Sequence, residues 1–155
     1  MWNHKELKIN SLQTNLALVE RFVEEICDEN YISDSYFGNI MLALEEAVKN
    51  AIVHGNKLNP ARQVLIACER KRGGIFFAVE DEGGGFDPAS VPSPLDSETA
   101  GKGLFLIRSL ADRVEFNAPG NRISLSFSVS CINQETTLKR ISSLKKYFRK
   151  QTTFA

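Results

Sequence analysis

The chain has 155 residues, of which 43% are hydrophobic and 25% charged, and its 19 basic residues balance its 19 acidic ones. This length and apolar content are typical of one globular domain, which excludes an intrinsically disordered protein and argues against a solenoid or a two-domain enzyme. The net charge of zero also argues against a nucleic-acid-binding protein, because such proteins usually carry a basic excess.

The zero net charge is the sum of two oppositely charged segments. Residues 1–135 carry all the acidic residues and 13 of the basic ones, a net charge of −6, whereas residues 136–155 carry +6. We therefore divide the chain into a domain over residues 1–135 and a basic tail over residues 136–155. Apolar residues of the tail recur at helical spacing, at Leu138, Ile141, Leu144 and Phe148. This amphipathic tail could be an extra helix on the domain, a partner-binding helix, or a contact for an anionic membrane or nucleic acid.

The cysteines and the N-terminus point to an intracellular protein. Cys27, Cys68 and Cys131 are odd in number and far apart, without metal-ligand spacing, so we expect neither a disulfide framework nor a zinc site. The N-terminus has no apolar signal region, and no segment reaches the roughly 18 apolar residues of a membrane span. We expect a cytoplasmic protein with no membrane span.

Helical periodicity dominates the first third of the chain, and strand signals follow it. Apolar residues at three-to-four spacing predict a first helix over residues 12–28, with Ser11 as its cap. A second helix is predicted from Ser33 or Asp34 to His54, with Gly55 as its stop signal. Two strands follow at residues 64–69 and 75–80, and then a loop rich in Gly and Pro over residues 81–103.

The last strand defines the fold class. Serines at positions 124, 126, 128 and 130 alternate with Ile123, Leu125, Phe127 and Val129, as expected of an antiparallel strand buried on one face only. The elements run strand, helix, helix, strand, strand, loop, helix, strand, strand. This order predicts an α/β two-layer sandwich, with a mixed, mostly antiparallel sheet and helices on one face, rather than a doubly wound fold.

Two polar residues of the second helix need partners. Glu46 and Asn50 lie about 40° apart on a helix whose surroundings are largely apolar. The pair could form a solvated stripe or an internal hydrogen bond. It could also form a metal and phosphate site, because an amide oxygen suits magnesium and a carboxylate can accept a proton.

Two glycine-rich segments are further candidates. Asp81 follows a strand and precedes three glycines that let a ligand approach the backbone, although a flexible hairpin would look the same. Gly101, Lys102 and Gly103 precede a helix, whose first N–H groups can bind an anion. The latter segment is neither a Walker A loop nor a full Gly-x-Gly-x-x-Gly fingerprint.

Together the three segments are much more specific than any one of them. The motifs EAVKNAIVHGN from Glu46, DEGGGFD from Asp81 and GKGLFLI from Gly101 resemble, in order and spacing, the N, G1 and G2 boxes of the GHKL (Bergerat-fold) ATPase superfamily. The compact form resembles the RsbW-type anti-sigma-factor serine kinases. This resemblance covers residues 5–130 and leaves the basic tail outside.

The resemblance implies a role for each matched residue. Glu46 would be the catalytic base, Asn50 would bind the Mg²⁺ that bridges the ATP phosphates, and Asp81 would hold the adenine amino group. The adenine pocket would be shaped by Gly83 and Gly85. The phosphates would be held by Gly101 and Gly103, with Lys102 beside them, under a lid over residues 88–100. His54 would be either a catalytic residue or a buried structural histidine.

The resemblance also implies partners and leaves more than one function open. A kinase of this type would sequester a sigma factor and phosphorylate a STAS-domain anti-anti-sigma protein, would make no direct nucleic-acid contact, and could form a homodimer. The alternative is an ATP-responsive binding module that sequesters a regulatory partner without significant kinase activity. A detached histidine-kinase domain fits less well because its lid is usually longer, and a chaperone-type ATPase would need a second domain.

Overall fold

The computed structural model describes residues 4–90, 102–129, 142 and 144–146. Its strands and helices are, in chain order, β1 (His4–Asn10), α1 (Leu16–Glu29), α2 (Asp34–Asn50), β2 (Gln63–Lys71), β3 (Gly74–Glu80), α3 (Lys102–Leu110), β4 (Arg113–Phe116) and β5 (Arg122–Phe127). Short 3-10 turns lie at Gln13–Asn15 and Pro88–Ser90, and α2 continues into a π-helical turn at Ala51–Gly55.

The strands form one sheet in the order β1-β2-β3-β5-β4. All four described strand pairings are antiparallel, and β5 is inserted between β3 and β4. The predicted alternation of β5 is present, since Ile123, Leu125 and Phe127 are buried while Ser124 and Ser126 are partly exposed. The prediction of a two-layer sandwich with a mostly antiparallel sheet is therefore confirmed.

One hydrophobic core joins the three helices to the sheet. Val23 of α1, Leu44 of α2 and Ile107 of α3 are fully buried in it, together with inward-facing residues of the strands. Phe77 and Phe127 meet edge to face in this core, with ring centroids 6.2 Å apart. Because a single cluster contains the buried stripes of all three helices, the helices cover the same face of the sheet.

Two buried thiols lie in the same core. Cys27 of α1 and Cys68 of β2 are free, and burial raises the pKa of each thiol to about 12. A thiol with such a pKa stays protonated near neutral pH and packs as a small apolar side chain. The third cysteine, Cys131, lies outside the described residues.

The predicted start of the first helix is wrong. The helix α1 begins at Leu16, after the 3-10 turn, and Ser11 does not cap it. Ser11 is instead fully buried, and its hydroxyl donates a hydrogen bond to the Arg62 carbonyl at 2.8 Å and accepts one from Asn56. A serine before an apolar run therefore has a tertiary role here, although its sequence context is that of a cap.

The basic tail is mostly outside the described residues. Ser142 and residues 144–146 are helical, and the Leu144 side chain is 55% exposed. Within the part of the chain that the structure describes, no helix is long and apolar enough to cross a membrane.

Candidate functional site

Glu46 and Asn50 lie one helical turn apart near the C-terminal end of α2. The Glu46 side chain is 18% exposed, and its Oε1 accepts a hydrogen bond from Lys49 Nζ at 3.3 Å. Asn50 is half-buried, and its amide makes no hydrogen bond to another described residue. The internal bond between Glu46 and Asn50 is therefore not formed.

The first turn of α3 lies directly against this pair. A Cβ atom at Gly103 would stand 2.9 Å from Glu46 Oε2 and 3.4 Å from Asn50 Nδ2, so a larger residue here would displace the Glu46 carboxylate. The N–H groups of a first helical turn lack intrahelical partners and favour anions. The exposed Lys102 adds a positive charge at the same helix start, whereas Gly101 lies outside the described residues.

Asp81 follows β3 directly, and its carboxylate is oriented by a local hydrogen bond. Asp81 Oδ1 accepts a hydrogen bond from the Gly83 N–H at 2.8 Å. Burial raises the pKa of Asp81, although the bond from Gly83 and the charge of Arg62 lower it in part. A half-buried carboxylate with a raised pKa is a recognised mark of a functional site, because burial that costs stability is retained where a ligand needs the group.

The glycines around Asp81 bring three segments into contact. A Cβ at Gly55, the last residue of the π-helical turn, would overlap the Asp81 carboxylate, and a Cβ at Gly83 would overlap the Gly55 carbonyl oxygen. Gly85 has a φ of +80° and packs against the Pro119 carbonyl of the β4–β5 hairpin. The glycine-rich segment is thus a packed loop rather than a flexible hairpin.

Asn56, the last residue of the EAVKNAIVHGN motif, also organises this region, although the sequence assigned it no role of its own. It is fully buried, and its Nδ2 donates to Ser11 Oγ at 2.8 Å and to the Gln63 carbonyl at 3.0 Å. Its Oδ1 accepts a hydrogen bond from the Glu82 N–H at 2.8 Å. Apart from the motif, the signal in the sequence is an amide directly after a helix stop, which is also common in ordinary turns.

Asn121 is the second residue that sequence reasoning missed. The Asp81 N–H donates to the Asn121 carbonyl at 2.9 Å, and Asn121 Nδ2 donates to the Asp81 carbonyl at 3.0 Å. In the sequence, Asn121 belongs to a turn signal with Pro119 and Gly120. Nothing in that signal indicates a contact 40 residues away.

Of the two readings of His54, the buried structural one is wrong. His54 is exposed rather than buried, so it is not a structural histidine of the core.

The described candidate residues form two groups joined by the π-helical turn. One group contains Glu46, Asn50, Lys102 and Gly103, at the junction of α2 and α3. The other contains Asp81, Gly83 and Gly85, in the loop after β3. The first group offers a carboxylate, an amide oxygen and a helix N-terminus, and the second offers a fixed hydrogen-bond acceptor, which together suit a ligand with an anionic part and a polar ring.

Comparisons with known proteins show the family of the chain. Residues 9–127 match the histidine kinase-like ATPase domain, and the chain belongs to this family. It is also similar to the anti-sigma F factor of Oceanobacillus iheyensis, with 29% identity over 121 residues that cover 74% of this chain and 83% of that protein. The expected GHKL membership is thereby confirmed, and an ATPase domain implies ATP as the ligand.

Proposed function

We propose that the chain is a magnesium- and ATP-dependent serine/threonine protein kinase that acts as an anti-sigma factor. It would sequester a sigma factor and phosphorylate a STAS-domain anti-anti-sigma protein. The observation that carries the proposal is the juxtaposition of Glu46 and Asn50 on α2 with the glycine start of α3. The similarity to an anti-sigma F factor supports the regulatory part.

At the base end, Asp81 would accept a hydrogen bond from the adenine amino group. Its Oδ1 already accepts the Gly83 N–H, so the carboxylate is oriented before the nucleotide arrives. Gly83 and Gly85 would form the floor of the pocket, because both lie where a side chain would collide with neighbouring backbone. Preorientation of this kind reduces the entropy lost on binding.

At the phosphate end, Asn50 would bind magnesium through its carbonyl oxygen. The fit rests on two observations: this oxygen has no partner among the described residues, and Gly103 leaves space that a Cβ would fill. When bound, the metal ion neutralises charge on the phosphate oxygens. The N–H groups at the start of α3, with Lys102 and Gly101, would hold the same phosphates.

Glu46 would accept the proton of the attacking serine hydroxyl. Its side chain is mostly shielded from solvent, and Lys49 holds one carboxylate oxygen at 3.3 Å, which leaves Oε2 facing Gly103. General base catalysis by a positioned carboxylate contributes about 10²- to 10⁴-fold to a reaction rate.

The test is phosphate transfer from labelled ATP to a STAS-domain protein encoded beside this chain. Glu46→Gln should lower the transfer rate by about 10²-fold or more while ATP affinity stays within about twofold, because only the proton acceptor is lost. Glu45→Gln is the matched control, since it removes a neighbouring carboxylate of α2 that interacts with Glu20. Equal transfer rates for the two variants would refute the assignment of Glu46.

A binding module without kinase activity is the alternative, and it is favoured by the name of the similar protein, which specifies an anti-sigma factor only. In that case the wild-type chain would capture a sigma factor in an ATP-dependent manner and transfer no phosphate. Glu46→Gln would then leave sigma-factor capture unchanged both in solution and in cells, whereas the kinase would lose its control by phosphorylation.

A further inference from the structure

We infer that Asn121, in the β4–β5 hairpin, is a positioning residue for Asp81. By holding Asp81 in place, it would set the preference of the site for a base that carries an amino group. The inference rests on the proposed role of Asp81 in binding adenine. Asn121 would act through Asp81 and would not itself touch the nucleotide.

Both main-chain polar groups of Asp81 are bound by Asn121. The Asp81 N–H donates to the Asn121 carbonyl at 2.9 Å, and Asn121 Nδ2 donates to the Asp81 carbonyl at 3.0 Å. The last pair of the β3–β5 ladder is Glu80 with Arg122, so these bonds continue the pairing for one residue beyond the strands. Asn121 thus holds the Asp81 backbone, which sets where the side chain starts, and the Gly83 N–H then orients the carboxylate.

The amide of Asn121 is itself oriented by the hairpin. Asn117 Oδ1 accepts the N–H groups of Gly120 at 2.9 Å and Arg122 at 3.1 Å, so Asn117 Nδ2 must point to Asn121. Asn117 Nδ2 donates to Asn121 Oδ1 at 2.8 Å. Because Asn121 Oδ1 faces Asn117 Nδ2, the Asn121 Nδ2 must face Asp81. The backbone N–H groups of Gly120 and Arg122 thus determine the orientations of both side-chain amides.

The hairpin and the loop after β3 also pack against each other. Gly85 lies against the Pro119 carbonyl, Gly120 lies against the Phe86 backbone, and the rings of Phe86 and Phe116 meet edge to face at 5.3 Å. A displacement of the hairpin would therefore move the loop and with it the Asp81 carboxylate.

The test compares two nucleotides that differ only in the amino group, ATP and purine riboside 5′-triphosphate. The wild-type chain should prefer ATP. Asn121→Ala should lower the affinity for ATP about three- to tenfold, because Asp81 loses its orientation, and should change the affinity for the analogue by less than about twofold. Equal losses for the two nucleotides would show a general structural role and overturn the inference, and so would no loss for either.

Asn15→Ala is the matched control, because Asn15 Nδ2 also donates to a backbone carbonyl at 3.0 Å, that of Asn10. It should leave the preference for ATP unchanged, and a comparable loss of preference would overturn the inference. If Asn121→Ala does not fold, Asn121→Asp keeps the size and the acceptor for Asn117 while it removes the donor to Asp81, and it should lose the same preference.

A double variant separates this inference from the proposed function. In an Asp81→Asn background, Asn121→Ala should not reduce the preference for ATP any further, and an additional loss of preference would overturn the action through Asp81. Failure of the wild-type chain to bind ATP would instead refute the proposed function itself.

Discussion

The two ends of the candidate site are built in different ways. At the Asp81 end, side chains of the fold hold the backbone: Asn121 bonds that of Asp81, and Asn56 bonds that of Glu82. Glycines also let three segments meet there. Around Asn50, the amide has no bond to a described residue, and Glu46 has only Lys49. The end proposed to bind the base is therefore preorganised by the fold, whereas the end proposed to bind the phosphates has fewer hydrogen bonds among the described residues. Substitutions of the glycines and asparagines that build the first end should cost stability, and substitutions at the second end should cost activity.

The largest expected effect on stability is at Gly85. We expect Gly85→Ala to lower the free energy of unfolding by about 3 kcal/mol, because the left-handed backbone disfavours a Cβ and the Cβ would overlap Pro119. Urea denaturation measures the loss. The control is Gly84→Ala, where a Cβ would meet no atom within 4 Å, with an expected change within about 0.5 kcal/mol. Similar losses for both variants would show that the loop is not packed as described.

The second prediction sets two asparagines against each other. Asn56→Ala should lower the free energy of unfolding by about 2 to 3 kcal/mol, because it leaves buried groups without partners. Asn50→Ala should change it by about 0.5 kcal/mol or less without nucleotide, and should abolish most of the stabilisation that Mg²⁺ and ATP provide to the wild type. Denaturation with and without Mg²⁺ and ATP checks both. A large loss for Asn50→Ala without nucleotide would make Asn50 a structural residue.

The smallest effect on stability should come from Asp81. Burial raises its pKa, so the folded state binds the proton more readily than the unfolded state, and the ionised group reduces stability. Stability should therefore decrease as the pH rises above the pKa that the Asp81 carboxyl has in the unfolded chain. Asp81→Asn should flatten this decrease and slightly raise the melting temperature at neutral pH.

The same variant should weaken ATP binding about tenfold or more, because the oxygen that accepts from the amino group is then neutral. Thermal melts over about pH 4 to 8 measure the first effect, and ATP titration measures the second. A lower melting temperature at neutral pH would contradict the prediction.

The sequence predicted those elements whose residues follow a simple period. The alternation of β5 is visible because one face is buried, and α2 is visible because its apolar stripe recurs every three to four residues. Glu46, Asn50 and Asp81 could be singled out because their types and spacing match a chemical task, and their roles remain predictions.

The tertiary contacts of small polar residues could not be read from the sequence. Ser11 has the context of a helix cap, yet the chain turns into α1 through a 3-10 turn and leaves the serine to bond Arg62 and Asn56. Asn121 looks like a turn residue and is one, but its second role depends on where β3 ends. Local patterns contain no information about a partner 40 or more residues away.

The π-helical turn after α2 makes this site sensitive to chain length. A π-helical turn amounts to one residue inserted into an α-helix, and such turns are frequent at functional sites. The Asn56 N–H donates to the carbonyl of Ala51, five residues earlier, at 2.8 Å. With this spacing, Gly55 lies against Asp81 while Asn50 lies beside Gly103. Removal of one residue between Asn50 and Gly55 would rotate the C-terminal end of this turn by about 100° relative to α2. A substitution in this stretch would act at its own position, whereas an insertion or deletion would separate the two ends of the site.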